Sequence, residues 1–522
     1  MLRKFIILVV IVVSAITTNE VVAQTPSSPD SALQAILNGL TGTPIHLQQA
    51  VQSALKNATS VRKAEAAYLA AKGSQRKESG FFDPQLFFNL NYQDQQQPVA
   101  SPFLGVPVLS TQQTTSRSGL RMDLPIGTEL ELSLSTTRLN TNSKIALLNP
   151  EYDVLGSLSI RQPLLGGFMA SARKQLGKSE REYDAQKARY DQQVLAVSAN
   201  AERTYWDLYA AERDYAVQKL TRDRAEAFLK ETELRAATGL VGPNQVANAR
   251  TFFAEQELQL LEQDEQLDRQ SDQLASLIGV RPEPGMVRFV PLDEPPRDFP
   301  VDSIDQLVDH AVKNNLDLQA AQHEVEAARV LSRAAGWEAL PNVNLVGSLG
   351  GIGLSGTGQQ VRFGGTPFTT TYTGTLSDAL SQSTKREFPN WSVGVEVTIP
   401  IGFRSGLGEK DRLEAELLSA EQRYIEQSRM LEDQVRSAYR ELFHGKSRLE
   451  AARQGVDAAQ DQVRIGLIEF RNGRLTAFEL VRLGEDFAVA QRRYSEALVR
   501  TAKAAATLRE LTSGGYPSAT NH

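Results

Sequence analysis

The stretch "AATGLVGP" (residues 236–243) interrupts a helical pattern that otherwise runs from Ala172 to about Leu277. Between Ala172 and Ala237 there is no proline and a single glycine, Gly177, and the apolar residues recur at spacings of three and four. A helix of about 65 residues would be roughly 100 Å long at 1.5 Å per residue, several times the diameter of an ordinary domain. Gly239, Gly242 and Pro243 supply a stop and a fresh start, glycine past one C-terminus and proline inside the next N-terminus. The stretch is therefore read as the turn of a very tall helical hairpin.

The hairpin occurs twice. Residues 205–277 superpose on 439–511 at an offset of 234, with Tyr205-Trp206-Asp207-Leu208-Tyr209 against Tyr439-Arg440-Glu441-Leu442-Phe443 and Gly239 against Gly473. Upstream, Leu47–Pro84 superposes without a gap on Ile304–Pro341 at an offset of 257, matching Lys56-Asn57 to Lys313-Asn314 and Pro84 to Pro341. So long a period is far beyond solenoid repeats of about 20–50 residues and marks a duplicated, domain-sized unit. Each unit, 44–280 and 302–513, is expected to run helix, strands, long helix, sharp turn, helix. The helices are read at 44–80, 170–238 and 243–279, and at 302–338, 405–472 and 476–512. Two shorter helices add up to one long one, so they could stack end to end beside it. The proline-rich stretch 281–301 links the units, while 24–43 and 514–522 read as loosely held ends.

The long helices carry a narrow apolar seam, Tyr190, Val194, Val197, Ala201, Tyr205, Leu208, Ala211 and Tyr215 in the first and Tyr424, Leu431, Val435, Tyr439 and Leu442 in the second. This is a coiled-coil packing seam; the remaining faces are polar and meet water.

Residues 1–23 have the form of a secretory signal, with Arg3 and Lys4 before the apolar run Phe5–Ile16 and small residues at Val21-Val22-Ala23. The chain has no cysteine, which excludes disulfides, and its five scattered histidines argue against structural zinc. A net charge of −6 argues against a nucleic-acid partner. No P-loop, dinucleotide fingerprint, GxSxG elbow or histidine cluster is present, so neither an enzyme nor a cofactor is expected. Beyond the signal no apolar run reaches 18 residues, although barrel strands need only about 10 alternating residues each.

Such strands are present. Trp391–Ile399 alternates strictly, and Val154–Ile160 keeps the same phase; Leu86–Tyr92 and Val343–Gly350 follow the pattern less strictly. Alternation could cover a core, but the mostly polar helices offer none, so lipid on one side and water on the other fits better. Four such strands per chain cannot close a barrel, and an open edge is untenable in lipid, so several chains would have to close it together. Stretches 104–115, 137–152 and 351–390 read as surface loops. Segments 117–124 and 128–136 form an extra hairpin, present in the first unit only, whose neighbours the sequence does not identify.

The duplicated order, "SIRQPLLGGF" and "TIPIGF" at the strand-to-helix junctions, and the tips "RAATGLVGPNQVANAR" and "FRNGRLTAFELVR" together resemble the TolC-like family of outer-membrane efflux proteins over about 44–513. The resemblance implies a mainly α fold with a β-barrel portion: a trimer whose twelve strands form an outer-membrane barrel set in lipid and whose twelve helices form a periplasmic tunnel. It implies a periplasmic adaptor protein and an inner-membrane pump as partners, in a tripartite efflux or type I secretion system. Adaptor docking would fall on Thr238, Gly239 and Leu240 and on Asn472, Gly473 and Arg474. A pore-constricting pair of acids maps to Glu479 and Arg482, the second a cation where an acid is expected. The polar residues that lock the closed tip in a relative map to Phe470 and Leu475, which cannot make those bonds; Arg471 and Arg474 could substitute. A soluble periplasmic coiled-coil adaptor or structural protein is the alternative; it would explain the hairpins but not the strict alternation.

Overall fold

The computed structural model describes residues 29–100, 105–296, 299, 303–363, 365–472 and 474–516; the signal at 1–23 and Gly473 lie outside them. Two helical hairpins dominate. Helix α4 (Lys174–Ala237, 64 residues) returns through α5 (Pro243–Ile278), and α9 (Arg404–Arg471, 68 residues) returns through α10 (Ala477–Leu511). At 1.5 Å per residue the long helices measure about 100 Å. The apolar seam is where the sequence places it. Val197, Ala201, Tyr205, Leu208 and Ala211 are buried with Leu431, Val435 and Leu442 in one core, and the tyrosines at 190, 215, 424 and 439 flank it.

The helices expected at 44–80 and 302–338 are each broken. Helix α2 (Leu47–Asn57) gives way to α3 (Thr59–Ser79) at Ala58, and α6 (Ile304–Asn314) to α7 (Leu316–Glu338) at Asn315. Both joint residues are extended, with ψ of 121° and 126°, at positions equivalent under the 257-residue offset. The reason lies in the returning helices, whose C-termini arrive there. Asn57 Nδ2 donates to the Ile278 carbonyl at 2.8 Å, and Asn315 Nδ2 donates to the Leu511 carbonyl at 3.0 Å. Each amide satisfies a terminal carbonyl that its own helix cannot. Consequently α3 stacks over α5 beside α4, and α7 stacks over α10 beside α9. Across the layer, α3 and α5 form one edge and α9 the other.

The N-terminal stretch is held rather than loose. Helix α1 (Pro29–Asn38) buries Leu33 against Ala216, Val217 and Ala488, and β1 (Thr43–Ile45) pairs in parallel with β6 (Phe289–Pro291) of the proline-rich linker. Tyr205 clasps this belt: its buried hydroxyl accepts from the backbone N–H groups of Leu292 (3.1 Å) and Asp293 (3.0 Å) and lies 3.0 Å from the Ile45 carbonyl. Near the other end of the chain, Tyr516 is buried in the same core.

The long strands form one antiparallel sheet of six, not four. Its order is β10 (Phe388–Thr398), β7 (Asn342–Gly358), β5 (Leu148–Pro163), β4 (Glu129–Thr141), β3 (Val108–Asp123), β2 (Gln85–Pro98). The extra hairpin, β3–β4, lies within the sheet, between β2 and β5. The supposed loops 104–115 and 137–152 are largely the ends of these strands, whose Thr- and Ser-rich composition conceals them. The third, 351–390, holds the end of β7, the small pair β8 (Val361–Phe363) and β9 (Thr366–Phe368), and helix α8 (Leu376–Lys385). Glycine permits the close approach of α8: a Cβ on Gly351 or Gly353 would collide with the backbone oxygens of Ser383 and Ala379.

Candidate functional site

The first tip is a Schellman closure. Gly239 has φ of +75° and donates to the Ala236 carbonyl at 3.0 Å, while Leu240 N–H reaches the Arg235 carbonyl at 2.9 Å. Thr238 caps α4, and Leu240 is left 76% exposed at the extremity. The second tip repeats the long closing bond, Arg474 N–H to the Glu469 carbonyl at 2.9 Å, with Asn472 as the C-cap. Thr238, Leu240, Asn472 and Arg474 are all exposed.

Between the hairpins near these tips the structure shows contacts that the sequence did not suggest. The Arg235 guanidinium lies 5.9 Å from the Phe470 ring centroid while also pairing with Glu231 at 2.5 Å. Phe228 and Phe478 approach to 6.3 Å, and Arg224 donates to the Gly484 carbonyl at 3.3 Å. Arg224, Phe228, Glu231 and Phe470 border a cavity of about 350 Å³. Phe470 thus makes a cross-hairpin contact of a different kind, a cation on a ring. No spacing rule links residues from two hairpins so distant in sequence, so only the fold reveals the pairs.

Glu479 belongs to a capping box at the start of α10. Its Oε2 accepts from Thr476 N–H at 2.9 Å and from the Thr476 hydroxyl at 2.8 Å, and its own N–H donates to that hydroxyl at 3.2 Å. The Thr476 backbone bond, then the hydroxyl, holds its carboxyl below the usual range, so it is ionised at neutral pH. Arg482 follows one turn later and is exposed. Near it stand Glu485, raised by burial and by Asp486, and Asp486 itself.

The sheet separates chemistry by face. One row of cross-strand partners reads Leu86, Leu120, Leu132, Leu158, Leu349, Trp391, crossing all six strands; every member is exposed. The adjacent row, on the opposite face, reads Gln85, Arg121, Glu131, Ser159, Ser348, Ser392. On that polar face Arg117 pairs with Glu131 at 2.7 Å, Arg161 pairs with Glu396, and Ser348 bonds Ser392 at 2.7 Å. An exposed apolar face backed by a hydrogen-bonded polar one suits lipid outside and water inside. Among the described residues no helix is long and apolar enough to cross a membrane, and no cluster of His, Asp or Glu could hold a metal ion.

Residues 50–280 and 307–514 match the family of outer membrane efflux proteins. The chain belongs to that family. It is accordingly an outer-membrane channel protein that extends into the periplasm, and not an enzyme. Its fold is similar to that of the outer-membrane channel OprN (TM-score 0.62, 17% identity, 90% of each chain covered). It is also similar to Campylobacter jejuni CmeC (0.61, 14%, 91% of this chain and 87% of that one) and Vibrio cholerae VceC (0.60, 16%, 90% and 97%). At these identities the likeness shows the fold alone. No curated protein sequence matches the chain significantly.

Proposed function

We propose that three copies of this chain close one outer-membrane barrel over one periplasmic helical tunnel, forming the exit duct of a tripartite efflux or type I secretion system. Cargo would enter from an inner-membrane pump through a periplasmic adaptor docked on the tips. The observation that carries the reading is the exposed apolar row from Leu86 to Trp391 on a sheet joined directly to helices about 100 Å long. Such a row has no soluble role within the chain, which disfavours the coiled-coil adaptor alternative. The resemblance implies twelve barrel strands, four from each copy; the six strands of this sheet favour a larger number.

Adaptor docking is assigned to Thr238, Gly239, Leu240, Asn472, Gly473 and Arg474, and the constriction to Glu479 and Arg482. The exposure of Leu240 and Arg474 at the extremities supports the first assignment. The test is extraction followed by native mass measurement and adaptor pull-down. We expect a trimer that needs detergent and captures the adaptor of its own operon. A protein released without detergent as a monomer would refute the reading.

A further inference from the structure

We propose that all six strands of each copy enter the barrel wall, so that three copies close an eighteen-strand barrel with β2 of one copy against β10 of the next. The inference rests on the trimeric duct reading above. The β3–β4 hairpin is not an appendage at the mouth: it is hydrogen-bonded in register on both sides, to β2 over Gln85–Pro98 and to β5 over Glu151–Arg161. It also keeps the phase of the wall. Leu120 and Leu132 continue the exposed apolar row, and Arg121 and Glu131 continue the polar row behind it. A hairpin folded across the lumen or over the surface would have no reason to match both faces of its neighbours.

The free edges fit each other. Among the described residues β2 and β10 each pair on one side only. An even number of alternating strands leaves them antiparallel where two copies meet, so a closed wall keeps one hydrogen-bond pattern throughout. The helical layer ends at the same places. Helix α3 leads into β2 at one edge, and β10 leads into α9 at the other. Both edges expose apolar side chains, Leu69 and Leu258 on one and Leu418 and Met430 on the other.

Two added strands have no helix beneath them, and the structure shows where their turn rests. Leu124 N–H bonds the Thr128 carbonyl at 2.8 Å, closing the β3–β4 turn, and Met169 N–H donates to the Ile126 carbonyl at 3.3 Å. Gly127 sits so tightly on the Pro163–Gly167 junction that a Cβ would reach within 2.6 Å of the Gly167 carbonyl. The turn therefore seats on the strand-to-helix junction, bordering a cavity of about 710 Å³ with Phe81, Phe82 and Lys174. It bridges the step from a wide barrel to a narrower tunnel. Since barrel diameter grows roughly linearly with strand number, eighteen strands give about 1.5 times the diameter of twelve.

The test uses the full-length trimer, which has no native cysteine. Single Leu120→Cys and Leu132→Cys variants in native outer membranes should resist a water-soluble maleimide but react with a membrane-soluble one. Arg121→Cys, on the opposite face, should label from the water side. Electron cryo-microscopy of the detergent-extracted protein should show eighteen strands in cross-section. Deleting residues 108–141 should leave a trimer that shows twelve strands in the same cross-section. A trimer with twelve strands in its wall, or water-side labelling of both leucine positions, overturns the inference while leaving the duct reading intact. A native mass that is not three chains overturns the duct reading instead, and the cysteine labelling still decides whether the hairpin is in the wall.

Discussion

Arginine at Val395 tests which face of the sheet meets lipid. The apolar side chains of β10 run from Trp391 to Val397, about 20 Å along a strand at 3.4 Å per residue. A strand tilted by about 40° projects some three-quarters of that length onto the membrane normal. Val393 and Val395 straddle the middle of this run, so Val395 lies within about 3 Å of its centre in depth. Val395 is 62% exposed in the single chain, so little internal packing is lost on substitution. The cost is therefore that of arginine near the bilayer midplane, about 2–4 kcal/mol per chain. Ser392→Arg is the control, because Ser392 lies on the opposite face and loses one exposed hydrogen bond to Ser348, about 1 kcal/mol. Guanidinium unfolding in phospholipid vesicles, with heat-modifiable migration as a second readout, should rank Val395→Arg well below Ser392→Arg. Equal stability of the two, or the reverse order, would refute the assignment of the apolar face to lipid.

Other predictions concern the belt, the pH response and the tips. Tyr205→Phe removes the acceptor for the Leu292 and Asp293 N–H groups and should destabilise the protein by about 1–3 kcal/mol in denaturant titrations. Burial pushes the 6%-exposed Glu212 up to about 7 from 4.5. Because its folded pKa is raised, its contribution is most favourable below pH 4.5 and is lost as pH climbs to about 7, up to about 3 kcal/mol. Glu212→Gln should flatten the fall in melting temperature over that window, and an unchanged slope would count against the burial. Leu240→Asp and Arg474→Glu should abolish adaptor capture and efflux while preserving a trimer; normal export by both would place docking elsewhere. Arg482→Asp should raise cation selectivity and Glu479→Gln lower it in low-salt planar-bilayer recordings. Unchanged reversal potentials in both would remove these residues from the pore.

What could be read in advance divides along physical lines. A coiled-coil seam is a local periodic signal, and the seam from Tyr190 to Tyr215 is packed as its spacing implies. The duplication carried the order of elements, because equivalent residues such as Thr238 and Asn472 cap equivalent helices. The breaks at Ala58 and Asn315 were hidden. One extended residue hardly disturbs a helical pattern, and its cause, a carbonyl arriving from more than 190 residues away, is not a local property. The hairpin β3–β4 was legible as strands but not as wall, since its neighbours β2 and β5 are set by hydrogen bonds across the sheet. Its polar ends, Thr111–Thr115 and Thr137–Thr141, read as loop, although a barrel strand is free to be polar on its water face and beyond the lipid.

The same logic governs the start of α10. Glu479 sits at the third position after the N-cap Thr476, where a helix needs an acid whatever lies outside it. A capping role and a pore role make different demands on the side chain. The cap needs an acceptor that reaches back to Thr476 N–H, which glutamine still provides; a charged constriction needs the negative charge itself. Glu479→Gln therefore separates the two. If the residue serves the helix alone, the variant keeps the conductance and selectivity of the wild type. If it also lines the pore, helix stability stays nearly level while cation preference drops, and Arg482→Asp moves it in the opposite direction.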